Sequence, residues 1–558
     1  MLKRLLILLF PSIAFAQFTN EVHIPPTISG TTFSLTIDES TRQFFDGQTT
    51  QTIGFNGDFL GPTLIFNQGD DIAISVQNDL NEPTTVHWHG MHVSPEDDGG
   101  PHTVIERGAV WNPDFTVLDR ATTFWYHPHL HETTNRHVTK GAAGMIIIKS
   151  EAEAALTLPR DYGEDDFPLI IQAKSFNGQN QLDERGDDTH FMVNGTLNPY
   201  MEVPSQMVRF RVLNGSNERV LNLGFEDNRN FYQIGSDGGL LAAPLQMNRV
   251  RVATGERVEL VVDFSNENGS TMTMVTFASE LGPGIPGGGG GGAQGLDGID
   301  TEFMEFRIGA QTASPVTSIS TTLATHNPWD ESEADNTRTI TMDGGGPGNP
   351  FGLDDTIFDI DFVNETVILD DIEVWTITNN TNIAHPFHIH DIQFYILDIN
   401  GQTPPENMQG LKDVVLVEGN QSVRFITKFE DFADPEVPYM YHCHILPHED
   451  GGMMGQFIVV EEEEALGLAE RRSQFRIYPN PVTDRIIRVL MPDDLNPDSE
   501  VGFKIFDMAG KEISHFPSTI CGPSNLKILY LEEYESGLYN LAINVDGAYL
   551  KSIRMVIK

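Results

Sequence analysis

The sequence predicts an all-β protein built from several domains, and three observations carry that expectation. Short runs rich in Val, Ile, Thr and aromatic residues recur along the 558 residues, as in Thr63–Phe66, Asp71–Val76 and Val258–Phe264. Such side chains fit a pleated, half-buried surface. Stretches with the apolar repeat of a helix are scarce. Hydrophobic content of 39% is enough for several packed cores, and the length corresponds to roughly three to four domains.

Taken in order, residues 1–16 read as a secretory signal peptide: Lys3 and Arg4, the apolar run Leu5–Phe10, then the small-x-small site Ala14-Phe15-Ala16. The apolar run is too short to cross a bilayer, and no other candidate span exists. A first domain is expected over 17–150, closing on the strand Gly144–Ile148, a second over 165–310 and a third over 337–462. The glycine-rich stretch Gly282–Gly298 reads by composition as a flexible connector, at most fringing a substrate entrance. The acidic run Glu461–Glu464 and the pair Arg471-Arg472 mark the junction with a small final β-domain, 473–558.

The chemistry concentrates in His442-Cys443-His444, followed by His448 and Met453. Successive side chains of a strand point to opposite faces. Cys443 therefore faces one way while His442 and His444 face the other. A metal held by the thiolate is thus joined to a second metal site by a single residue, a path on the order of 10 Å. His87-Trp88-His89 and His127-Pro128-His129 each place two imidazoles on one face of an extended segment. In His385-Pro386-Phe387-His388-Ile389-His390 the last two histidines share parity, and His385 faces away from them. Parity alone sorts the ligands. His385, Cys443 and His448 converge on one copper with Met453 as a weak axial ligand, the electron-transfer geometry. His87, His89, His127, His129, His388, His390, His442 and His444 build an all-imidazole cluster with room for oxygen.

These motifs, H-W-H-G, W-Y-H-P-H, H-P-F-H-I-H and H-C-H-x3-H-x4-M in this order, resemble the four copper-binding motifs of the multicopper oxidases. HCHILPHEDGGMM resembles the branch of bacterial and spore-coat laccases, bilirubin oxidases and cuprous oxidases. The likeness covers about residues 30–462. It implies three cupredoxin-like Greek-key domains and four copper ions. Type 1 copper would take His385, Cys443, His448 and Met453, and type 2 would take His87 and His388. One type 3 copper would take His89, His127 and His444, and the other His129, His390 and His442. The family passes four one-electron oxidations of a substrate from type 1 to O2, which becomes water. The middle domain is structural in this family, and sites drawn from the first and third domains imply a monomer.

Reduction of O2 to water consumes protons, so carboxylates are expected beside the cluster. By motif position Asp98 matches the family's acid before a Gly-Gly, and Glu449 a carboxylate on the oxygen-exit path. Neighbouring Asp97 and Asp450 are not separable from them by sequence. His92, His102, His131 and His137 read as polar loop residues rather than ligands.

The tail, with Ile477-Tyr478-Pro479-Asn480-Pro481 and strand-like Ile486–Met491 and Lys504–Asp507, is similar to the C-terminal sorting domain of type IX secretion. It implies passage through the periplasm of a Gram-negative bacterium to the outside, with release or surface attachment. A net charge of −46 and a pI near 4.5 disfavour nucleic acid and anionic membranes as partners. Cys443 and Cys521 lie in different domains, so no disulfide is expected. The 18 methionines are scattered and form no Met-rich insert, which tilts the reductant toward phenols and aromatic amines. Oxidation of Cu(I), Fe(II) or Mn(II) is the alternative. A copper-sequestering protein without turnover is the rival of a different class.

Overall fold

The computed structural model describes residues 17–462 except 186, 291–293 and 347–348. It also describes 475–558 except 484, 492–494, 497–498, 508–510, 521–525, 532–533 and 546–547. The signal-peptide reading, Arg471-Arg472 and Cys521 fall outside these residues.

The fold is all-β. The runs picked out by composition are strands: Thr63–Asn67, Asp71–Asn78, Arg257–Asp263, Ile486–Leu490 and Glu500–Asp507. Their alternating or continuous burial follows from which sheet faces are covered; Asp71–Asn78 alternates out and in, whereas Arg257–Asp263 is buried along nearly its whole length. Separate hydrophobic cores form around Leu35, Phe66 and Trp88, around Phe210 and Phe306, around Trp375 and Phe425, and around Ile505 and Leu541 in the tail.

Two five-stranded sheets position the histidines, and they share one plan. The first runs Thr27–Ser29, Thr63–Asn67, Gly144–Lys149, Thr123–His127, His87–His89. The other runs Glu365–Ile368, Met454–Val460, Asp434–Cys443, His385–Ile389, Val414–Val417. Antiparallel register sets His127 opposite His87 in the first, and His388 opposite His442 in the other. Cys443 pairs with Phe387, and its side chain falls in the same apolar core as Met453. The tail contributes a three- and a four-stranded sheet. Its Lys504 is paired with Asp361 of the preceding domain.

The described part of the glycine-rich stretch around Gly284 and Gly287 is tied to the fold rather than left as a loose connector. Its Gly284 carbonyl accepts the N–H of Ala384 at 2.7 Å, and Arg219 donates to Gly287 at 3.3 Å. Glycine is required at 284, where φ is +85° and a Cβ would lie 2.5 Å from the Asn382 carbonyl. The sequence shows only polyglycine; the ordering partners come from elsewhere in the chain.

Candidate metal centres

Cys443 ends a strand whose hydrophobic partners exclude water, and it is fully buried. Its Sγ lies 3.4 Å from His385 Nδ1 and 3.8 Å from His448 Nδ1. The short helix Leu446–Asp450 brings His448 back over the sulfur, and the Ile445 N–H points at Sγ from 3.5 Å. Met453 is buried in the same loop; its carbonyl accepts the Cys443 N–H at 3.1 Å and its N–H donates to His448 at 2.9 Å. Burial pushes the Cys443 thiol up, which disfavours a bare thiolate and makes a bound cation the natural counter-charge. His448 is the half-buried member of this set, and the Phe351 ring packs 4.3 Å from its ring and 5.0 Å from that of His385. On the far side, Thr381 Oγ1 is 2.9 Å from His385 Nε2 and fixes that ring.

The opposite face of the same strand belongs to the second site. His87, His89 and His388 form one group, His89, His127 and His444 another, and His129, His390 and His442 a third, with ligand atoms within 4.8 Å inside each group. All eight rings are buried; His87, His89, His127, His388 and His442 lie in strands of the two five-stranded sheets, and His129, His390 and His444 lie one or two residues past a strand end. His87 stacks on His390 at 3.8 Å and His89 on His388 at 3.7 Å. His129 Nε2 and His442 Nε2 are 3.0 Å apart.

The tautomers are set from outside. His390 Nδ1 donates to Asp98 Oδ2 at 2.8 Å, His87 Nδ1 to the Asp98 carbonyl at 3.0 Å, and His388 Nδ1 to the Asp413 carbonyl at 2.9 Å. His127 and His442 donate from Nδ1 to the carbonyls of Pro128 and Cys443. The Nε2 atoms of His87, His127, His388 and His390 are left buried without a partner. His89 is turned round: Nε2 meets Asp413 at 3.2 Å and Nδ1 is the orphan. Buried, unpartnered ring nitrogens gathered in one cavity are costly unless they bind something. Neutral imidazole with its other nitrogen anchored is the form that ligates copper. The donor set fits.

Asp98 and Glu449 differ in state. Burial works against Asp98's charge, but the His390 and His87 imidazoles outweigh it and hold the carboxyl below the usual range. Burial, reinforced by Asp450, pushes Glu449 well up. Glu449 lies 3.3 Å from His442 Nδ1 and 3.6 Å from His129 Nδ1, and neither of its oxygens is satisfied. The neighbours separate clearly. Asp450 accepts from the Thr134 and Asn135 N–H groups at 3.0 and 2.9 Å, and half-buried Asp97 accepts from Ser94 at 2.7 Å. His92, His102 and His137 are occupied by Asp391, Gln456 and Glu82, and no metal-ligating group among the described residues includes them or His131.

Motif reading missed the braces supplied by the middle domain. Buried Arg257 forks onto Asp413 at 2.6 and 2.5 Å, and Asp413 in turn contacts His89 and His388. Gly255, with φ +82°, lies under His444, where a Cβ would sit 2.8 Å from the ring. Thr254 Oγ1 donates to the His444 carbonyl at 2.6 Å. The middle domain is therefore more than a spacer. Replacing Arg257 with Leu strands Asp413 as a buried charge, at an expected cost of about 3–5 kcal/mol on chemical denaturation. An unchanged unfolding midpoint contradicts this brace.

Burial draws His385 and His444 from 6.5 to about 3, and His390 and His448 to about 4. The unfolded chain therefore takes up these protons first. Stability from these neutral rings is complete above about pH 6.5 and lost as pH falls toward 4. Copper-free protein should accordingly lose urea resistance across that window; a midpoint flat from pH 7.5 to 4.5 rules it out.

Comparison with known proteins places this geometry. Residues 36–153, 124–283 and 325–463 each match a family described as multicopper oxidase, and 476–558 match a secretion system C-terminal sorting domain. The multicopper oxidase mco of Staphylococcus haemolyticus is 32% identical over 81% of this chain and 92% of its own length. The laccase-like multi-copper oxidase CueO of Ochrobactrum sp. superposes with a TM-score of 0.72 at 31% identity, over 79% of this chain and all of its own. Cell division protein FtsP of Photorhabdus laumondii is 30% identical over 78% of this chain and 92% of its own length. The ligand geometry and the relatives converge: this chain belongs to the multicopper oxidases, copper-dependent oxidoreductases that take electrons from a reducing substrate and pass them to O2, here carrying a secretion sorting domain.

Proposed function

We propose a secreted, laccase-like oxidase of phenols and aromatic amines that reduces O2 to water with four coppers. The observation that carries it is the division of one strand. Cys443 meets His385 and His448 on one face, while His442 and His444 join six other buried histidines on the opposite one. His385, Cys443, His448 and Met453 would hold type 1 copper; His87 and His388 type 2; His89, His127, His444 and His129, His390, His442 the type 3 pair. When bound, these ions supply one-electron acceptance at the first site and four-electron reduction of O2 at the second. Asp98 anchors two of the rings and holds a negative charge against the cluster. Glu449, kept neutral by burial, stores a proton beside His442 and His129. Thr381 and Phe351 fix the rings facing the donor.

Aromatic donors are favoured by the surroundings of His448. The contact there is the Phe351 ring, and the outer nitrogen of His385 meets a threonine rather than an acid. The related Ochrobactrum enzyme has oxidase activity towards lignin model compounds and lignosulfonate. The second reading, oxidation of metal cations, rests on the strongly acidic composition, with a net charge of −46. Oxygen uptake by copper-loaded protein separates them: a phenol and an aromatic amine should support turnover, with Cu(I), Fe(II) and Mn(II) slower. The reverse order overturns the laccase reading, and no uptake with any donor leaves copper sequestration. The sorting domain directs the chain to type IX secretion.

A further inference from the structure

The sorting domain does not stand clear of the oxidase body. In its four-stranded sheet Lys504 is opposite Ala542, Phe506 is opposite Asn540, and Ala542 is opposite Ser552. Residues directly opposite on neighbouring strands share a face, as do alternate residues of one strand, so these five side chains stand together. The other face, with Phe503, Ile505, Leu541 and Ile543, fills the tail's own core. A face turned away from that core would meet water in an isolated tail, yet Ala542 at its centre is 2% exposed. The segment 351–364 of the third domain lies against it. Ile357 and Phe362 of this segment enclose, with Phe506, Asn540 and Ser552, a cavity of only about 50 Å3. At the rim Lys504 pairs with Asp361 and lies 3.9 Å from Asp359.

The same segment reaches the Cys443 site. Phe351 at its start packs 4.3 Å from the His448 ring. Farther along, the Phe358 N–H donates to the Gly452 carbonyl at 3.0 Å, one residue before Met453. At its end the Asn364 N–H donates to the Gln456 carbonyl and the Gln456 N–H to Asn364 Oδ1, both at 3.0 Å. The Gln456 side chain adds a bond to the Ile360 carbonyl at 2.9 Å. One side of the segment is thus held by the residues that follow His448, and the other by the tail. The tail's grip is a partly solvated ion pair and a small apolar contact, which is weak by itself. Because both partners belong to one chain, a weak contact closes readily and also opens.

Resting on the laccase reading, we propose that the sorting domain doubles as a latch on the donor entrance. Docked, it holds 351–364 against Gly452 and Gln456 and keeps Phe351 on His448, so that only small donors reach that ring. Drawn off the body during export, it lets the segment lift and admits larger phenols. His448 is the half-buried member of its site, so a small movement of Phe351 changes how much of the ring a donor meets. Oxidation of bulky donors is in this way held back until the chain has left the cell.

Full-length variants test the latch from both sides. Lys504→Glu on the tail and Asp361→Lys on the body each set like charges across the contact, and the two together restore an opposite pair. Hydrogen exchange of copper-free protein, read in peptides spanning 351–364, should run about 10-fold faster in each single variant. It should return toward the wild-type rate in the double variant. Asp361→Lys leaves the tail's sequence intact, so it reads the contact even where Lys504→Glu loosens the tail. With copper loaded, kcat/KM for a two-ring phenol should rise about 10-fold in both single variants, and that for a one-ring phenol stay within about twofold. Wild-type exchange in both single variants overturns the proposal. Faster exchange with no gain for the larger phenol does so too, as does a double variant as open as the singles. Failure of the laccase reading shows differently: wild-type protein then takes up no oxygen with either phenol, while exchange still reports the docking.

Discussion

Cys443→Ser should lose the blue colour and lower donor oxidation by about 1000-fold or more, while copper remains bound to the histidine cluster. The sulfur supplies the polarizable ligand of the site formed with His385 and His448, and a serine hydroxyl is a poor substitute at the same position. The eight imidazoles lie on the opposite face and keep their anchors at Asp98, Asp413 and the carbonyls of Pro128 and Cys443. Metal analysis and the visible spectrum of the variant read the two outcomes separately. A variant that stays blue removes the assignment of type 1 copper to Cys443. One that loses all copper shows that the two sites do not form independently.

Asp98→Asn should slow reoxidation by O2 about 100-fold or more and leave reduction of the Cys443 site by donor within twofold. The carboxylate accepts from His390 through Oδ2, and Oδ1 lies 3.3 Å from His87 Nδ1. It meets His87 and His390 of the histidine cluster and is not among the groups that meet Cys443. An asparagine keeps the shape and removes the charge that can accept and pass a proton. Stopped-flow bleaching under anaerobic conditions measures one half-reaction, and the return of colour on mixing with O2 measures the other. Two unaffected half-reactions mean that Asp98 only orients its histidines.

Much of the site was legible because strand parity is a local rule. It separates Cys443 from His442 and His444, and His385 from His388 and His390, and the structure brings together the groups that this rule assembled. Asp98 and Glu449 were reachable through resemblance, but their opposite states were not. Those depend on whether a buried carboxylate meets ring N–H donors, as Asp98 does, or an acid at its side, as Glu449 does. Arg257, Gly255 and Asp413 carried no local signal. Arg257 and Asp413 are 156 residues apart, and their pairing is a product of domain packing. The glycine-rich stretch misled for the same reason: composition reports chain flexibility and not the carbonyl that Ala384 finds at Gly284.

Diffraction from crystals of the copper-loaded protein at the copper absorption edge tests the division of labour most directly. One anomalous peak is expected among Cys443 Sγ, His385 Nδ1 and His448 Nδ1, and three more in the cavity bounded by His87, His89, His127, His129, His388, His390, His442 and His444. A map with no peak at the sulfur, or with peaks that the eight rings do not share, contradicts it.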